Sequence, residues 1–120
     1  MNMLRLFILL LLVSLINTAF AQPTPTIYYV NSTGDGSDFN LSDGTCAASF
    51  WGDCTLRAAL EPAHANGGNT VIRFSSNINT PATFNINTPL PALTKPNILI
   101  DGGYLFHQLG DIIINGNNNV

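Results

Sequence analysis

Ile98-Leu99-Ile100-Asp101-Gly102 and Ile112-Ile113-Ile114-Asn115-Gly116 are two versions of one phrase. Each is an apolar triplet, an acid or amide, and a glycine. That order reads as a short strand running into a tight turn. Repeated along a chain, it is the sequence mark of a solenoid built from stacked strands. Two earlier segments extend the pattern. In Val71-Ile72-Arg73-Phe74 and Thr83-Phe84-Asn85-Ile86, the pairs Ile72/Phe74 and Phe84/Ile86 alternate with polar neighbours, so each segment should bury one face. Arg73 then falls on the solvent side. No helix-length segment separates these strands, which disfavours a doubly wound α/β fold, whose parallel strands need crossover helices. A β-sandwich is the remaining structural rival.

Upstream of residue 69 the reading changes. Thr26-Ile-Tyr-Tyr-Val30 is β-branched and aromatic, a good first strand. Residues 31–53 are rich in turn formers. Residues 55–66 are the one helical candidate. Thr55 is suited to the N-cap, because its hydroxyl can accept an orphan backbone N–H, and Asp53 is placed to assist. Leu56, Ala59, Leu60 and Ala63 recur at helical spacing and predict one apolar face. Gly67-Gly68 supplies the stop. Pro62 conflicts with this, since it removes one helix hydrogen bond and crowds the preceding turn; a kink or break near Ala58 is expected.

Compartment is read from the first residues. Arg5, the apolar run Leu6–Ile16 and the small-x-small site Ala19-Phe20-Ala21 form a secretory signal peptide, residues 1–21. The run is too short for a membrane span, which needs about 20 apolar residues. Cleavage after Ala21 leaves Arg57, Arg73 and Lys95 as the only cations, in a chain of formal charge −3 overall. A charge-poor, mildly acidic product has no basic cluster with which to hold nucleic acid or other polyanions. Its polar surface must come from Asn, Thr and Ser, a composition suited to stacked strands whose like side chains can ladder.

Two cysteines in an exported chain favour a disulfide. Cys46 and Cys54 would close a small loop, for which chain entropy gives about 2–3 kcal/mol. A metal pair or two free thiols are the rivals; for a metal, neither His64 nor His107 has finger-like spacing. Other chemistry fares no better. Asp35, Asp38 and Asp43 share one Gly-rich loop without EF-hand spacing, and read as a solvated loop. Asp101 reads as a turn former before Gly102, and Asp111 precedes a strand. Asn31-Ser-Thr and Asn40-Leu-Ser have the form of N-glycosylation acceptors. Neither catalytic residues, metal ligands nor cofactor are assigned.

The ordered set Tyr29-Val30-Asn31-Ser32-Thr33, Asp43-Gly44-Thr45-Cys46, Cys54-Thr55-Leu56-Arg57, Ala65-Asn66, Asn69-Thr70-Val71, Phe74, Leu90-Pro91-Ala92-Leu93-Thr94-Lys95 and Ile100-Asp101-Gly102 resembles the N-terminal segment of secreted right-handed parallel β-helix proteins that carry the CSLREA motif. The resemblance covers residues 26–120. It departs at Ala58, where Glu is usual, at Leu60, and at Pro62. It implies a pectin-lyase-like β-helix, with the segment as its N-terminal cover. The first coil of a solenoid exposes unpaired backbone and an open apolar core. A short helix laid over that end would bury Leu56, Ala59 and Leu60. On this reading the disulfide pins the loop that feeds the helix, and Arg57 bonds carbonyls or Asp residues of the cap.

The expected organisation is therefore a mainly β chain: a signal peptide (1–21), an N-terminal strand with disulfide loop and capping helix (22–68), and first β-helix coils (69–120). At 20-odd residues per coil the last part holds about two coils, fewer than solenoids usually need, so the chain is expected to be a piece of a longer product. The function expected is structural, in a secreted or cell-surface protein whose solenoid displays a binding or adhesive surface. Disulfide Cys46–Cys54 and cap residues Leu56, Arg57 and Leu60 carry it. The expected partners are further coils of the same chain, a second copy at the open end, or carbohydrate or a cell surface, with no nucleic acid and no membrane span after cleavage. The alternatives are a carbohydrate-active β-helix enzyme with catalytic coils beyond residue 120 and a small disulfide-bonded secreted effector.

Overall fold

In a computed structural model that describes residues 2–3, 22–102 and 110–117, the chain is mainly strand with one short helix. The expected signal peptide lies almost wholly outside the described residues, and His107 does too. The element order is β1 (Thr26–Val30), α1 (Leu56–Ala65), β2 (Thr70–Phe74), β3 (Ala82–Asn85), β4 (Ile98–Asp101) and β5 (Ile112–Asn115). Among the described residues no helix is long and apolar enough to cross a membrane.

The strands form two sheets, β1-β2-β4 and β3-β5, and every pairing is parallel. Parallel pairing throughout is foreign to an antiparallel sandwich. From β2 onward, successive strands alternate between the sheets. The chain advances 28 residues between the register partners Arg73 and Asp101 in the first sheet. It advances 30 between Asn85 and Asn115 in the second. The step is longer than the short strands alone suggest, because extended connections such as 87–97 take up chain between them.

Side-chain alternation decides which face meets the core. Tyr28, Val30, Ile72 and Phe74 of the first sheet are buried, as are Ala82, Phe84 and Ile86 on or just after β3. The two inner faces meet where the Phe74 and Phe84 rings pack edge to face, centroids 5.4 Å apart. Fully burying side chains of this size contributes about 1.5–3 kcal/mol each. Ile100 stands in register with Ile72, and Ile114 with Phe84, yet they remain 39% and 46% exposed. No described strand lies against the far edge of β4 or β5, so the inner face is open there.

Polar pairs sit at matching strand ends. Asn115 donates its amide to the Asn85 side-chain oxygen across β3 and β5, 3.1 Å. Arg73 pairs with Asp101 across β2 and β4, 3.1 Å. The side-chain hydrogen bonds of Tyr29 and Asp101 raise the pKa of this guanidinium. Arg73 is thus on the outer surface but anchored, and Asp101 does more than start a turn. Asn69 and Asn97, each preceding its strand by one residue, both adopt positive φ (55° and 59°).

Gly68 marks a close crossing of two segments. Its φ is +93°, and a side chain there would run into the Pro96 carbonyl. Left-handed backbone disfavours L side chains, and here backbone also fills the space. Gly68→Ala is expected to cost at least about 2 kcal/mol, the sum of strain and overpacking. Gly44, with φ +74° and nothing within 4 Å, should cost only about 1 kcal/mol when changed to Ala. Urea denaturation of the two variants measures the difference.

Candidate functional site: the disulfide loop and the buried helix

The interval between β1 and β2 holds the helix where the interval between β2 and β4 holds β3, a strand of the second sheet. Its start is capped by Thr55, whose hydroxyl accepts from Ala58 N at 3.0 Å and donates to the Gly36 carbonyl at 2.6 Å. Asp53 does not assist the cap. Its carboxylate accepts from the Ser49 hydroxyl and its carbonyl from Ala48 N, so it closes the disulfide loop instead.

The helix runs through Pro62 without a break. The proline ring is buried, and the last turn still closes, with Asn66 N donating to the Pro62 carbonyl at 2.9 Å. Burial also differs from a single apolar face. Leu56, Ala59, Leu60 and Ala63 join the core cluster, but Arg57 and Ala58 are buried as well, on the side away from it. The loop 31–53 covers that side. Its contacts with the helix and its caps include the Thr55–Gly36 bond, Asp38 N donating to Glu61 at 2.7 Å, Arg57 with Asp35, and Asn66 donating to the Leu41 carbonyl at 3.4 Å.

Cys46 and Cys54 form a disulfide, Cα atoms 5.2 Å apart, and Cys54 sits immediately before the N-cap. Asn31, at the end of β1, accepts from Cys54 N at 2.7 Å and donates to the Gly52 carbonyl at 3.4 Å. The amide that the sequence presents as a glycosylation acceptor is therefore a brace between strand and loop. Replacing both cysteines by serine is expected to cost about 2–3 kcal/mol, since the freed loop regains chain entropy on unfolding. For a domain of this size that lowers the melting temperature by roughly 10–20 °C, measurable by thermal circular dichroism.

Arg57 carries the densest polar cluster. Its Nε and Nη2 donate to the two carboxylate oxygens of Asp35 at 2.9 and 3.2 Å, Nη1 donates to the Pro89 carbonyl at 2.9 Å, and Nη2 also donates to the Thr88 carbonyl. Asp35 in turn accepts from Asn87 N at 2.8 Å. Both side chains are under a tenth exposed. Burial works to raise the Asp35 pKa. The bonds from Arg57 and from the Asn87 and Thr88 backbone outweigh it and hold the carboxyl below its usual range.

Asp35 is thus no solvated loop residue. Asp38 accepts from Ala47 N, and Asp43 from Thr45 N and its hydroxyl, so each of the three carboxylates has its own local work. Sequence reasoning named carbonyls or Asp residues of the cap as the partners of Arg57, but not Asp35 in particular nor the carbonyls of segment 88–89. The signal lay only in an Asp near the end of the first strand and a single Arg early in the helix.

What this arrangement does chemically is bind chain to chain. One guanidinium ties the helix, the loop 31–53 at Asp35 and the segment following β3. Compared with protein-family models, curated proteins and solved structures, the chain matches none.

Proposed function

We propose that this chain is the N-terminal cap and first coils of a secreted right-handed parallel β-helix related to the CSLREA-motif proteins, with a structural role of its own. The observation that carries the reading is the placement of a helix, buried by core and loop alike, in the one interval that lacks a second-sheet strand. A stack of parallel strands needs its first apolar layer covered, and the helix supplies Leu56, Ala59, Leu60 and Ala63 for that. The disulfide supports export, since such bonds persist in oxidising compartments. The open inner face at Ile100 and Ile114 suits further coils or a second copy, and a longer solenoid would display a binding or adhesive surface.

The test is the intact mass of the native secreted product, with and without reductant. The expected product begins at Gln22, gains two hydrogens on reduction, and is larger than residues 22–120 alone. A product retained inside the cell, or one that keeps residues 1–21, overturns the assignment to the exterior. A secreted monomer of residues 22–120 that resists protease overturns the cap-of-a-solenoid reading in favour of a small effector.

A further inference from the structure

The disulfide loop does more than hold the helix. At its tip Phe50 and Trp51 are each 90% exposed, the two most exposed aromatic residues described. The tip is rigidly built. Gly52 N donates to the Ser49 carbonyl at 3.1 Å, Trp51 N to the Ser49 hydroxyl at 3.2 Å, and Ala48 N to the Asp53 carbonyl at 2.6 Å. Gly52 takes a φ of +81° to complete the turn. Two adjacent rings on a braced turn contribute nothing to the core. Large exposed apolar side chains held together mark an interaction surface.

Asn31 connects that tip to a second feature. Its amide holds the Gly52 carbonyl, and it also lines a cleft of about 380 Å³ with Ser32, Thr33, Asn77, Ile78 and Asn79. The cleft wall carries amides and hydroxyls and no charge. An anionic lipid surface calls for a basic rim; Arg57 and Arg73 are ion-paired, and the loop's own charges are acidic. Neutral amides and hydroxyls beside exposed rings match a different chemistry. A sugar ring has an apolar C–H face that stacks on an aromatic and a rim of hydroxyls that bond amides.

We infer that the Phe50-Trp51 turn and the adjoining Asn/Ser/Thr cleft form a binding site for a neutral oligosaccharide. The rings stack on one or two sugar residues, and the side chains of Asn77 and Asn79 bond the hydroxyls of the next. This site lies on the cap itself and does not depend on what further coils carry.

Trp51 is the only tryptophan in these 120 residues, so the part of the native secreted protein's emission that a Trp51→Phe variant loses reports this site. The probes are linear neutral hexasaccharides of glucose, mannose, xylose and N-acetylglucosamine, with phosphatidylcholine vesicles alongside. The expected result is a saturable change in Trp51 emission with at least one hexasaccharide. Phe50→Ala should weaken it at least about tenfold, equivalent to the loss of one good contact. Asn77→Ala with Asn79→Ala should weaken it about fivefold or more at an unchanged melting temperature. No saturable response at about 10 mM of any hexasaccharide, well above a weak millimolar affinity, overturns the inference. A response to vesicles in place of sugar overturns it in favour of a lipid interface.

Discussion

Replacing Leu56 by aspartate is expected to abolish soluble secreted product. Leu56 is 1% exposed and belongs to the cluster that includes Val30, Ile72 and Phe84. Losing its apolar contacts costs about 2–5 kcal/mol, as in Leu→Ala changes. Placing an unpaired carboxylate there adds several kcal/mol more. The sum reaches the whole stability of an ordinary domain, about 5–15 kcal/mol. Leu56→Ala should keep the protein folded but lower its denaturation midpoint. Leu99→Asp is the control: Leu99 is 57% exposed on β4, and a surface change of this kind stays within about 0.5 kcal/mol. Yield in the culture medium and far-ultraviolet circular dichroism decide the matter. Leu56→Asp secreted at normal yield with β-type circular dichroism would refute the cap.

Arg57→Met should be the largest effect among polar positions. The substitution keeps most of the stem but leaves Asp35 charged, buried and without its counterion. Breaking a buried pair in this way costs about 3–5 kcal/mol. Asp35→Asn should cost less, because an amide oxygen still accepts from Arg57. Arg57→Lys should fall near the methionine variant, since one ammonium cannot span a carboxylate and two carbonyls. Urea denaturation at neutral pH provides the comparison, and a cost under about 1 kcal/mol for Arg57→Met would remove the pair from any account of the cap.

Acid should report the same pair. The Asp35 pKa is depressed in the folded protein, so its contribution is fully present above the unfolded value near 3.9. It is lost as pH falls through the lower folded value. The wild type should therefore lose stability below about pH 4, and Asp35→Asn should flatten that part of the profile.

Strand positions were largely legible in the sequence, and the physical reason is periodicity. Ile72/Phe74 and Phe84/Ile86 alternate with polar residues, so one buried face could be read off and is observed. The apolar triplets Ile98–Ile100 and Ile112–Ile114 announced strands but not their exposure, because whether a neighbour covers them is not a local property. The Thr55 cap was legible because a threonine precedes an apolar run at the right distance.

What failed to show was tertiary. Pro62 predicts a kink or break by local rules, yet the helix runs unbroken from Leu56 to Ala65 with the proline ring buried. The distance in sequence between Asp35, Arg57 and Thr88 hides the pair from any short-range pattern. Gly68 reads as a helix stop, yet its stricter requirement comes from Pro96, in a segment that no local rule places beside it.

The polar pairs at the strand ends have a consequence for alignment. Ile112-Ile113-Ile114 and Ile98-Leu99-Ile100 are nearly uniform, so a slip of two residues along either ladder still leaves one isoleucine of the triplet on the same face. Hydrophobic burial alone opposes that error only in part. The Asn85–Asn115 side-chain hydrogen bond forms at one alignment only; such a cross-strand pair contributes about 0.2–1 kcal/mol, modest for stability but specific for register. The Arg73–Asp101 contact discriminates in the same way for the other sheet. Each strand thus carries its glue in the middle and its ruler at the end.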